Sequence, residues 1–77
     1  MATNYYIDLI TRLRETLYTF KITLQWDSDQ KAKDVEHYDD FSIQVALKEK
    51  IEANAKAIET INRQISEINT AVSAFEN

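Results

Sequence analysis

The sequence predicts an all-α protein: a two-helix hairpin with a long C-terminal amphipathic helix, associating with its own kind into an antiparallel bundle of four-helix type. Three features carry that expectation. The 77 residues contain neither glycine nor proline, and sheets with several tight hairpins rely on both. Apolar residues recur at steps of three and four in both halves of the chain, the period of a helix face. Cysteine is absent, so a chain too short to bury a large core has no disulfide or thiolate-metal support and is expected to gain stability by oligomerising.

The first element is a helix over about residues 4–26, with Thr3 or Asn4 as cap. Its face reads Tyr6, Ile10, Leu13, Leu17, Phe20 and Leu24, while Arg12, Arg14, Glu15 and Lys21 lie elsewhere on the wheel. A strand is the alternative for 19–26, where Phe20, Ile22, Leu24 and Trp26 alternate with polar residues. The helical pattern runs through this stretch without a break from Tyr6, so helix is the expectation.

The second element is an acidic connector, 27–40, rich in turn-forming Asp and Ser and partly helical, because Val35, Tyr38, Phe41 and Val45 keep helical spacing. Their phase is displaced by one residue from the stripe that follows. A break near Asp39 to Ser42 is therefore expected, with Asp39 or Asp40 capping the next helix.

The third element is the long helix, about 41–75. With Ile51 at heptad position a, the a sites are Gln44, Ile51, Ile58, Ile65 and Val72, and the d sites are Leu47, Asn54, Ile61, Ile68 and Phe75. Eight of these ten are large and apolar, the signature of a coiled-coil-like seam. Isoleucine at both a and d, with small Ala55, Ala57 and Ala71 beside the seam, favours more than two helices. Leu47, Ile51, Asn54, Ile58, Ile61, Ile65, Ile68, Val72 and Phe75 form the candidate self-association seam. Asn54, the polar member, is expected either to fix register, orientation or oligomer state by requiring a partner Asn or to face water. A first helix of about 34 Å cannot cover a second of about 52 Å, so either the Val35, Tyr38 and Phe41 segment folds back over the rest of the stripe or another subunit covers it, with a homodimer the simplest assembly.

No catalytic set is visible. His37 is the single histidine and lies in a polar stretch, where it is expected to be exposed and to serve neither a triad nor a metal site. A calcium loop starting at Asp27 would place Ala32 where glycine is needed and Tyr38 where glutamate is needed. No cofactor or metal is expected, and no enzyme.

Residues 27–40 hold six acids against Lys31 and Lys33, a balance of −4 that equals the net charge of the whole chain. Asp27, Asp29, Asp34, Glu36, Asp39 and Asp40, with Trp26 and Tyr38, form a candidate patch for a protein partner carrying a basic surface. The dispersed basic residues argue against direct nucleic-acid binding. No apolar run is long enough for a membrane span, and MATNYYIDLITRLRE lacks the form of a signal peptide, so a cytoplasmic protein is expected. The functional expectation is a small acidic interaction or regulatory protein that self-associates and binds a macromolecule. An inhibitor or decoy that blocks a basic site through the acidic connector, and a structural assembly subunit, are the alternatives.

Overall fold

Two helices of equal length make up the molecule, α1 (Ala2–His37) and α2 (Phe41–Glu76), each of 36 residues. They run antiparallel in a computed structural model that describes residues 2–76. Residues 38–40 join them. The result is an elongated rod: the radius of gyration is 17.4 Å, against roughly 11.5 Å for a compact chain of this length.

Glycine is not needed at the reversal, because every described backbone φ is negative. Asp40 caps α2: its Oδ1 accepts from the backbone N–H of Ser42 at 2.8 Å and of Ile43 at 3.4 Å, and its carbonyl accepts from Gln44 N–H. The side chain of Gln44 then donates to the Tyr38 carbonyl, satisfying a carbonyl beyond the end of α1.

The expected end of the first helix near Trp26 is corrected, since α1 continues to His37 and only three residues of the acidic segment are non-helical. The reason is local. Lys31 Nζ pairs with Asp27 Oδ1 and Gln25 Nε2 donates to Asp29 Oδ1, both at i,i+4, which stabilises helix across residues that elsewhere favour turns. Val35 remains in the seam of α1, while Tyr38 and Phe41 are exposed and fold back over nothing. With equal helices, the length mismatch disappears, and one hairpin covers the Ile stripe along its length. Residues 19–26 are helical, not strand.

The seam pairs facing positions whose numbers add to about 82, as in Ser28 with Asn54. On α2 it follows the a and d sites read from the sequence: Ile61, Ile65 and Val72 are 4 %, 6 % and 8 % exposed, and Leu47, Ile51, Asn54, Ile58 and Ile68 are half-buried. Phe75 at the open end is exposed. On α1 the expected face is corrected by one column. The seam uses Ile7, Arg14, Lys21, Ser28 and Val35 at a, with Ile10, Leu17, Leu24 and Lys31 at d. Tyr6, Leu13 and Phe20 lie at g, outside it. Arg14 and Lys21 are tolerated at a because their long aliphatic stems cover apolar neighbours while their charged ends reach water; Arg14 Nη1 donates to Asn69 Oδ1 at 2.6 Å.

Candidate interaction surface

The two helices present two unlike flanks on either side of the seam. The flank built from e and b positions is charged, with Glu15, Asp29 and Glu36 on α1 and Lys48, Glu52 and Glu59 on α2. Tyr18, Ile22 and Trp26 climb it at i,i+4 spacing and are exposed. The flank built from g and c positions differs. On α1, the d, g and c positions from Tyr6 to Leu24 are Tyr6, Leu9, Ile10, Leu13, Thr16, Leu17, Phe20, Thr23 and Leu24, without a charge among them.

Four large apolar side chains of this strip, Tyr6, Leu9, Leu13 and Phe20, are 51–53 % exposed. The polar groups between them are already satisfied, because Thr16 donates to the Arg12 carbonyl at 3.1 Å and Thr23 to the Thr19 carbonyl at 3.0 Å. Covering the strip would orphan neither threonine hydroxyl. The matching strip of α2 is made of small side chains, Ala53, Ala57, Thr60, Ala71 and Ala74, interrupted by Gln64 and Glu67. Between the two lies an open groove of about 510 Å³, lined by Ile10, Leu13 and Leu17 from α1 and Gln64, Glu67, Ile68 and Ala71 from α2.

A polar layer crosses the seam two-thirds of the way along α1. Asn54 Nδ2 donates to Asp27 Oδ2 at 2.9 Å and to Ser28 Oγ at 3.1 Å. Ser28 is the buried polar residue of the layer. The Asp27 carboxyl is held below its ordinary pKa, chiefly by the hydrogen bond from Lys31 and next by that from Asn54. Asn54 thus has its polar partners within its own chain, on the opposite helix.

The acids singled out from the sequence do not form one patch. Asp27 turns toward the seam and is engaged by Lys31 and Asn54. Trp26, Asp29 and Glu36 lie on the charged flank, Asp34 stands on g at the loop end of the other flank, and Tyr38, Asp39 and Asp40 belong to the loop. Asp40 is occupied as the α2 cap. Phe41, 77 % exposed, and Ile43 add apolar surface beside the loop. His37 is exposed at the last position of α1. Among the described residues no three carboxylates or histidines converge as metal ligands, and no helix is long and apolar enough to cross a membrane.

Six of the strip's nine residues, Tyr6, Ile10, Leu13, Leu17, Phe20 and Leu24, are the face that periodicity reveals. Periodicity does not reveal Leu9, which breaks the three-and-four alternation, or that Tyr6, Leu13 and Phe20 lie outside the seam. A run of d, g and c positions without charge can be counted only after the seam is known.

Fold and surface together define the class: an antiparallel two-helix coiled-coil hairpin with one charged flank and one flank whose α1 strip, from Tyr6 to Leu24, carries no charge. No protein-family model, curated protein or solved structure matches the chain.

Proposed function

We propose that the protein is a non-enzymatic interaction protein, which binds another macromolecule through the flank that carries the uncharged α1 strip, with its acidic loop end as a second contact. The observation that supports this most directly is the exposure of Tyr6, Leu9, Leu13 and Phe20 on one face, outside the seam that holds the hairpin together. Contiguous apolar surface of this kind, rimmed by polar residues, marks interaction sites in folded proteins. The rod supplies the rigid support for them.

Capture from cell extract tests the reading, comparing the wild type with a Leu13→Glu/Phe20→Glu variant and with one neutralised at Asp34, Glu36 and Asp39. Loss of bound protein with at least one variant is the expected outcome. An identical bound set for all three sinks the reading.

An inhibitory or decoy role is a second reading, favoured by exposed Asp34, Glu36 and Asp39 at the same end of the rod as exposed Tyr38 and Phe41. Carboxylates next to aromatic surface suit a basic partner. Its signature is steep salt dependence, because exposed charges more than about 10 Å apart are screened at 0.1 M salt. Capture unchanged from low to high ionic strength removes it.

A further inference from the structure

We infer that the occupant of the flank carrying the uncharged α1 strip is a second copy of this chain, packed face to face with its axes reversed, so that the acidic loop ends lie at opposite ends of a four-helix rod. This names the occupant of the surface on which the proposed function rests. Four observations lead to it.

The heptad pattern is that of a bundle helix. A lone hairpin needs apolar residues at a and d only, whereas a helix with two helical neighbours needs a third column at e or g. On this flank α1 carries one, Tyr6, Leu13 and Phe20 at g, and it faces a g column of α2 in which the small Ala57 and Ala71 alternate with Lys50 and Gln64.

The surface area points the same way. The chain exposes 5953 Å², whereas a compact monomer of 9.0 kDa exposes about 4,850 Å². The excess of about 1,100 Å² exceeds the roughly 800 Å² that each partner contributes to a standard stable interface. One further copy is enough to cover it.

The threonines of the α1 strip are buried without loss, because the hydroxyls of Thr16 and Thr23 bond their own helix. The groove between α1 and α2 gives the large side chains of the other copy a place to enter, with Ala71 as part of its small-residue wall.

Charge selects the direction. Residues 27–40 carry −4, while residues 1–26 carry +1 and residues 41–77 carry −1. A dimer with both loop ends on one side would bring together two segments of −4. Reversed axes pair the neutral halves and separate the acidic ends.

The chain has no cysteine, so one introduced thiol gives an unambiguous label. Sedimentation equilibrium on the full chain is expected to give twice the 9.0 kDa chain mass. Spin labels on Asp39→Cys are expected about 70 Å apart, from 1.5 Å per residue on each side of a centre near residue 15. Leu13→Glu is expected to halve the mass while helicity is retained. Should that variant unfold, Thr16→Lys replaces it, with the same halving expected. Ile22→Glu on the charged flank is expected to stay dimeric. A monomeric wild type overturns the proposal, as does a label distance under about 30 Å, the scale of helices packed side by side, or a dimer indifferent to both Leu13→Glu and Thr16→Lys. A monomer that captures a partner and loses it on Leu13→Glu overturns the dimer and leaves the interaction reading standing. A monomer whose capture ignores Leu13→Glu overturns both.

Discussion

Asn54 on α2 donates through the same side-chain nitrogen to Ser28 Oγ at 3.1 Å and to Asp27 Oδ2 at 2.9 Å on α1. Above and below this layer the α2 side of the seam is isoleucine, which reads any helical register equally well. A buried amide and a buried hydroxyl must meet, so this layer selects the register in which they do. Slipping the helices by one heptad would set Asn54 against Lys21 or Val35 and leave Ser28 against an apolar residue.

The first prediction concerns that pair. Asn54→Ala removes a side chain and leaves the Ser28 hydroxyl without its cross-helix partner, and is expected to cost about 1–2 kcal/mol. Ser28→Ala combined with Asn54→Leu replaces both partners by apolar groups and is expected to recover most of that loss. A urea-unfolding double-mutant cycle on Ser28 and Asn54 measures it, with a coupling of about 1 kcal/mol expected. A coupling near zero would mean that the layer does not hold the register.

The second concerns pH. The folded-state pKa of Asp27 lies below the ordinary aspartate value, through the hydrogen bonds from Lys31 and then Asn54. A depressed carboxylate contributes stability that is present above the unfolded pKa and is lost as pH falls through the folded pKa. Thermal midpoints measured downward from pH 6 are therefore expected to separate below about pH 4, with the wild type falling more steeply than Asp27→Asn. Parallel curves would show that the pairing contributes nothing to the acid limb.

The third contrasts the seam with the charged flank. Ile61→Ala and Ile65→Ala empty the two most deeply buried apolar sites and are each expected to cost about 2–4 kcal/mol. Ile22→Ala removes a side chain that is two-thirds exposed and is expected to change stability by less than about 0.5 kcal/mol. Denaturant midpoints for the three variants give the comparison. Equal losses at Ile22 and Ile61 would contradict the seam described above.

The fourth addresses the reversal. Asp40→Ala deletes the acceptor of two α2 amides and is expected to cost about 1 kcal/mol, with Asp40→Asn recovering most of it. Asp39→Ala, beside the cap, is expected to be near neutral. Amide exchange at Ser42 and Ile43 should quicken in Asp40→Ala alone.

The sequence by itself determined the helical class and which face of α2 packs, and it narrowed the cap of α2 to Asp39 or Asp40. Each of these is written in short-range pattern: no glycine or proline, isoleucine every three or four residues, and an aspartate two residues before Ser42. Only the tertiary structure decided where α1 ends and which column of α1 meets α2. Asp27, Ser28 and Asp29 favour turns in isolation, and it is Lys31 on Asp27, Gln25 on Asp29 and, from the other helix, Asn54 on Asp27 and Ser28 that hold them in α1. The column of α1 was hidden for a related reason. Its apolar stripe is wider than one seam, so periodicity locates the stripe and leaves its division open; Asn69 on Arg14 and Asn54 on Ser28 divide it. What remains outside that division, Tyr6, Leu9, Leu13 and Phe20, is the surface on which the function is proposed.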